Sequence, residues 1–158
     1  MSQRRSKAGV TLIEMTIVVT LIGLMVGLTF PAVSAGVDSL RLSEASSRLV
    51  SFFNDALNRS ERRQQPVEVI ISKAQRALTM HSPDAGFEKK LELPQGISVV
   101  SILPEAKEES DAPRQFMVYP GGAVPRVGVE IVNARGVHRI VRVDPITGVP
   151  RIEQPEAP

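Results

Sequence analysis

Glu14 is the residue whose chemistry most needs an explanation. It is the one charged residue in an apolar stretch that runs from Ala8 to Val37, and the cations Arg4, Arg5 and Lys7 precede that stretch. A run of about 20 apolar residues is long enough to span a bilayer, whereas a carboxylate at the bilayer centre costs about 2.5–3.5 kcal/mol. A compensating interaction must therefore stabilise Glu14 wherever this segment is embedded.

The remaining titratable residues do not form a recognisable catalytic or metal-binding pattern. His81 and His138 lie far apart within strand-like segments, and the chain contains no cysteine. No serine lies in a nucleophile elbow and no glycine loop resembles a phosphate cradle. The acidic segment Pro104–Pro113 lacks the Asp/Asn-Gly rhythm of a calcium loop and is interpreted as a solvated connection. We therefore expect no enzyme activity, no cofactor and no metal site.

The overall composition gives little information about partners. The net charge is +2 and the isoelectric point is near 9.3, but three of the cations lie in the short segment before the apolar stretch. With one tyrosine and no tryptophan, the chain offers few aromatic platforms for single-stranded nucleic acid. The absence of cysteine leaves the redox compartment undefined.

The small residues Ala8 and Gly9 come before the apolar stretch, whereas the cleavage site of a secretory signal peptide follows it. The segment Gly9–Glu14, with the sequence GVTLIE, resembles the class III signal of type IV pilins and pseudopilins. The resemblance implies cleavage after Gly9 by a prepilin peptidase, methylation of the new amino terminus at Val10, and Glu14 as the fifth mature residue. Val10 departs from the phenylalanine that is usual at the first mature position.

The resemblance also supplies a partner for Glu14. In a filament, the carboxylate of one subunit would neutralise the terminal amine of its neighbour, so Glu14 is predicted to be an assembly contact; the alternative is a plain signal-anchor. The positive-inside rule keeps the basic residues before Ala8 in the cytoplasm. The sequence thus predicts a single-pass protein of the bacterial inner membrane with a periplasmic C-terminal part.

After Asp38 the apolar residues recur at helical spacing. Their sequence positions are Leu42, Ala45, Leu49, Phe52, Phe53, Ala56 and Leu57. This pattern predicts an amphipathic helix that continues the apolar one over residues 10–63 and stops before Pro66.

Alternating patterns after Pro66 predict strands. They cover Val67–Ser72, Ala77–His81, Glu88–Leu93, Ile97–Leu103, Gln115–Tyr119, Val127–Val132, Val137–Val143 and Val149–Ile152. Ala134–Gly136 and Asp144–Gly148 are predicted hairpin turns, and Pro150 predicts an edge strand. The expected fold is α+β and pilin-like, with a leader at 1–9, an apolar helix at 10–37, an amphipathic helix at 38–65 and an antiparallel β domain at 66–158.

Two C-terminal segments narrow the resemblance. Phe116–Ala123 and Ile140–Gly148 are similar to the C-terminal signature of the GspH/FimT group of minor pseudopilins and minor pilins, although Gly121 stands where aspartate is common. The resemblance implies a minor pseudopilin that helps the pseudopilus of a type II secretion system drive folded proteins out of the periplasm. Its expected partners are other major and minor pseudopilins, prepilin peptidase, the inner-membrane assembly platform and secreted cargo.

An alternative is a minor pilin of a type IV pilus that binds DNA during uptake. Arg135, Arg139, Arg142 and Arg151 are the candidate phosphate contacts. Because residues three apart on a strand face opposite sides, Arg139 and Arg142 are not expected to share a surface. Nucleic acid is therefore not the expected partner.

Overall fold

The protein is described by a computed structural model covering residues 10–83, 86–105 and 112–154. Its first element is the helix α1, Leu12–Arg63, which confirms the prediction of one helix over residues 10–63. Gln64 follows with a φ of 52°, and the Gln65 amide donates to the Ser60 carbonyl over 3.3 Å. This left-handed residue and backward hydrogen bond form a Schellman C-cap, which ends the helix before Pro66.

The chain separates into two compact units, one ending at Val37 and the other starting at Asp38. Within the described part of the first unit, α1 exposes a series of large apolar side chains. They include Leu12, Ile13, Met15, Ile17, Val19, Leu21, Ile22, Leu24, Met25 and Val26. Among the residues that the structure describes, no helix combines the length and the apolar character needed to cross a membrane.

The second unit contains the strands, all of which were predicted, with ends shifted by no more than one residue. They are β1 Val67–Ser72, β2 Ala77–His81, β3 Glu88–Glu92, β4 Ile97–Leu103, β5 Arg114–Val118, β6 Gly128–Asn133, β7 His138–Val143 and β8 Pro150–Glu153. They form two antiparallel four-stranded sheets, β3-β2-β1-β5 and β4-β6-β7-β8. β8 lies at the edge of the second sheet, as Pro150 predicted.

One hydrophobic core joins the amphipathic part of α1 to both sheets. The helix contributes Leu42, Ala45, Leu49, Phe52, Phe53 and Ala56, all buried and all on the face that the periodicity predicted. The first sheet adds Val67, Val69, Ile71, Leu78, Met80 and Val118, and the second adds Ile97, Val99, Ile102, Val129, Ile131, Val141 and Val143. The buried face of α1 therefore belongs to the same core as both sheets.

Both predicted hairpin turns are present, and each depends on a side-chain acceptor at its start. Asn133 Oδ1 accepts hydrogen bonds from the amides of Arg135 (3.0 Å) and Val137 (2.9 Å). Asp144 Oδ1 accepts from the amides of Ile146 (2.8 Å) and Thr147 (3.2 Å). These Asx-type hydrogen bonds stabilise the β6–β7 and β7–β8 turns from within.

Candidate assembly site

The predicted assembly residues lie at the beginning of α1. Gly9 is outside the described residues. Val10 precedes the helix with 62% of its surface exposed, and Glu14 lies exposed in the first helical turn. Cleavage at Gly9, methylation of Val10 and charge pairing of Glu14 remain predictions, since each requires a peptidase, a methyl donor or a neighbouring subunit.

Thr11 caps the helix, a role that was not predicted from the sequence. The Glu14 amide donates to Thr11 Oγ1 over 3.3 Å, which satisfies one of the amides left unpaired at a helix start. Thr11 and Glu14 have the S/T-x-x-E spacing of a capping box, so the sequence did contain the signal. A carboxylate in the first turn also interacts favourably with the helix dipole. The cap fixes the helix start three residues before Glu14.

The apolar side chains in the described part of the first unit form an extended exposed surface. Leu12 is 85% exposed and Met25 is 68% exposed. Extended exposed apolar surfaces mark contacts with membranes or other proteins, since in water they carry a hydrophobic cost. Glu14 is the one charged residue in this exposed apolar segment.

The C-terminal end of α1 is attached to the first sheet and its following turn. Ser60 Oγ donates to the Val118 carbonyl over 3.2 Å in a buried position. Glu61 Oε1 accepts from the Gly121 amide over 2.8 Å. Gly121 has a φ of 60°, a left-handed conformation that glycine adopts without strain. Gly121, which stands where aspartate is common in the similar group, thus provides a backbone amide that binds Glu61 at the end of the helix.

The β6–β7 turn is attached near the other end of the amphipathic helix segment. Arg135 Nε lies 3.3 Å from Asp38 Oδ2, and Arg41 Nη1 lies 4.0 Å from Asp38 Oδ1. Arg135, a candidate phosphate contact in the DNA-binding alternative, therefore has a structural interaction with the helix.

The other C-terminal arginines are dispersed or paired. Arg142 and Arg151 are directly opposite one another on β7 and β8. Arg142 lies 3.8 Å from a Glu153 oxygen, and Arg151 lies 3.8 Å from an Asp144 oxygen. Carboxylates thus accompany both guanidinium groups and weaken the attraction that this pair would exert on a phosphate backbone.

Arg139 does not extend that pair. It is opposite the buried Ile131, whereas Arg142 is opposite Gly128. The strand therefore separates Arg139 from Arg142, as the alternation predicted.

The two histidines lie on different sheets. His81 is between Glu68 and Glu88 in the strand register of the first sheet. His138 Nδ1 lies 2.8 Å from Glu130 Oε1 in the second sheet, and Ser101 Oγ donates to the other oxygen of the same carboxylate over 2.8 Å. Within the described ranges, no group of three acidic, histidine or cysteine side chains is arranged to hold a metal ion.

The long helix packed on two antiparallel sheets is similar to a solved structure, that of the minor pseudopilin EpsH from the type 2 secretion system of Vibrio cholerae. The similarity has a TM-score of 0.55 at 15% sequence identity, and it covers 73% of this chain and 98% of that one. The chain has the fold of a minor pseudopilin. Neither the protein-family models nor the curated protein sequences give a match. The similarity thus lies in the fold, and it confirms the expected α+β class.

Proposed function

We propose that this chain is a minor pseudopilin, a structural subunit of a type II secretion pseudopilus. The observation that supports it is a minor-pseudopilin fold built on a helix whose N-terminal part exposes an apolar surface interrupted by Glu14. Monomeric soluble proteins rarely expose an apolar surface of this extent. A bundle of like helices would cover it.

In this proposal, the subunit is first anchored in the membrane and then processed for assembly. Before assembly, the apolar segment holds the chain in the bacterial inner membrane, with the basic leader in the cytoplasm and the β domain in the periplasm. Prepilin peptidase then removes residues 1–9, and Val10 becomes the methylated amino terminus. The proposed partners are the assembly platform, major and minor pseudopilins and secreted cargo.

Glu14 would direct the step from membrane to filament. Its carboxylate is unfavourable in lipid, and the ammonium group at the terminus of a neighbouring subunit offers an opposite charge at a similar depth. The helix cap at Thr11 fixes the backbone that carries Glu14. The contact would stabilise the subunit in the bundle because it removes an unpaired carboxylate from the apolar phase.

Disulfide cross-linking tests the proposal. Because the chain has no native cysteine, every cross-link can be assigned to the introduced residue. Single cysteines would replace exposed apolar residues of α1, for example Ile17 or Leu24, in cells that express a complete secretion system. We expect disulfide cross-links to cysteines in the helices of other pseudopilins. A cysteine at Ile146, which is 92% exposed in the β7–β8 turn, is the matched control. Absence of helix cross-links under conditions where known pseudopilins cross-link would contradict the proposal.

A further inference from the structure

Three connections meet at the end of the β domain that is next to Asp38. The β1–β2 turn joins the β3–β4 connection, because the Leu93 amide donates to the Arg76 carbonyl over 2.9 Å. The latter connection enters β4 at Ile97, which is opposite Asn133 at the end of β6. The β6–β7 turn then reaches α1 through Arg135 and Asp38. These three connections, 73–76, 93–96 and 134–137, are called the Asp38-side loops.

The charge of the Asp38-side loops has one sign. They contain Lys73, Arg76 and Arg135 and no acidic residue. Arg76, Arg135 and the nearby helix residue Arg41 are exposed. The connections at the opposite ends of the strands, in contrast, have mixed charge, with Glu105 and Asp144 as well as Arg126.

The nearest carboxylates are already engaged by cations. Asp38 interacts with both Arg41 and Arg135. Glu92, at the end of β3, lies 2.7 Å from Lys90 Nζ. These pairs offset part of the positive charge as well, but the surface stays basic because Lys73, Arg76, Arg135, Arg41 and Lys90 outnumber Asp38 and Glu92.

We infer that the Asp38-side loops form a contact surface for anionic phospholipid headgroups. Asp38 directly follows Val37, the last residue of the apolar stretch, so a loop bonded to Asp38 lies near the level at which the chain would leave the bilayer. Clustered lysines and arginines at that level are attracted to anionic lipid surfaces. Val137, 51% exposed in the same loops, adds an apolar side chain that suits the headgroup region. This inference rests on the proposed membrane anchorage.

The contact would orient the β domain on the membrane before assembly. A second attachment at the loops would restrict the orientations that the domain can take relative to the lipid surface. Entry into the filament would then require release of the loops, which salt and loss of anionic lipid would promote because they weaken the contact. The effective range of such attraction falls from about 10 Å at 0.1 M salt to about 3 Å at 1 M.

The test uses the full chain reconstituted into vesicles. A single cysteine replaces Val137 and carries an environment-sensitive fluorophore; a single cysteine at Ile146, at the other end of β7, is the control. Vesicles contain either phosphatidylcholine alone or phosphatidylcholine with phosphatidylglycerol, each with a lipid-borne quencher. We expect several-fold stronger quenching at position 137 than at 146, only with phosphatidylglycerol, and its loss in 1 M salt.

A charge variant separates lipid contact from mere proximity. Lys73→Gln with Arg76→Gln removes two cations and leaves the Arg135–Asp38 pair intact, so folding is retained; circular dichroism verifies this. We expect quenching at position 137 to fall toward the control value while the chain still floats with the vesicles. Equal quenching at both positions in floating chains would overturn the headgroup contact without touching the anchor.

Two further outcomes are decisive. A chain that does not float with vesicles contradicts the anchorage itself, and the inference falls with it. Salt-sensitive binding of duplex DNA that Lys73→Gln with Arg76→Gln abolishes, in the absence of lipid quenching, would assign the loops to nucleic acid and overturn the inference.

Discussion

Ser60 Oγ, in the last turns of α1, donates a hydrogen bond of 3.2 Å to the carbonyl oxygen of Val118 at the end of β5. Ser60 is completely buried and Val118 is nearly so. The bond links residues far apart in sequence, where the end of the helix meets the first sheet and the turn that follows β5.

We predict that Ser60→Ala lowers the free energy of unfolding by about 1–3 kcal/mol, because the buried Val118 carbonyl loses a donor that water cannot replace. Chemical denaturation of the chain in detergent measures the change. Ser46→Ala is the matched control, since Ser46 is equally buried but donates within the helix, to the Leu42 carbonyl. A control effect as large as that of Ser60 would mean that burial alone explains the loss.

Leu49 tests the packing of α1 in the core that contains residues of both sheets. It is fully buried in the core, so we expect Leu49→Ala to cost about 2–5 kcal/mol of unfolding free energy through lost burial and the cavity left behind. Leu40→Ala, at a position that is 71% exposed in the same helix, should change stability by less than about 0.5 kcal/mol. Comparable losses in the two variants would contradict the packing of this face.

We expect Asp144 to make the stability of the fold depend on pH in the acid range. Hydrogen bonds from the Ile146 and Thr147 amides lower the pKa of its carboxyl from the ordinary value of 3.8, and Arg151 adds to this effect. A carboxyl whose pKa is lower in the folded state stabilises the fold above its unfolded pKa, and that contribution disappears as the pH falls through the folded pKa.

We therefore expect Asp144→Asn to lower the melting temperature at pH 7 and to have a much smaller effect near pH 2. Thermal unfolding of both chains across this range measures the difference. Glu105→Gln, a carboxyl exposed in another connection, is the control. A difference between Asp144→Asn and the parent chain that stays constant with pH would contradict the carboxylate's role.

Gly9 tests the predicted processing. A bulky residue at the cleavage position should block the peptidase, so Gly9→Leu should leave an uncut precursor when the chain is expressed with prepilin peptidase. Intact mass spectrometry distinguishes the precursor from a methylated product that begins at Val10. Ser6→Leu, which alters the leader away from the cut, is the control. A mature Val10 terminus in the Gly9 variant would exclude this cleavage site.

Glu14 tests the predicted assembly contact. Glu14→Leu removes the carboxylate from the apolar segment, so we expect firmer retention in the membrane and fewer cross-links to neighbouring pseudopilins. Membrane extraction and single-cysteine cross-linking measure the two effects. Glu44→Leu, an exposed carboxylate on the amphipathic part of the helix, is the control. Normal cross-linking of the Glu14 variant would count against the charge pair.

The sequence by itself determined the elements of this protein. The spacing of Leu42, Ala45 and Leu49 set the buried face of α1, and Pro66 marked its end, because helical periodicity and a missing amide are local properties. Alternation along each strand and the turn residues Gly136 and Gly148 fixed the strands for the same reason. The resemblance of Gly9–Glu14 to a class III signal was also visible in the sequence, because it depends on the order of neighbouring residues.

Only the tertiary structure decided how these elements meet. The structure divides the strands into two sheets. It also pairs Ser60 with Val118, 58 positions apart, and Arg135 with Asp38, 97 positions apart. No local pattern encodes such partners, since they follow from how the whole chain buries its apolar faces. The Thr11 cap differs from these contacts, because it joins residues three apart and the S/T-x-x-E spacing already indicates it in the sequence.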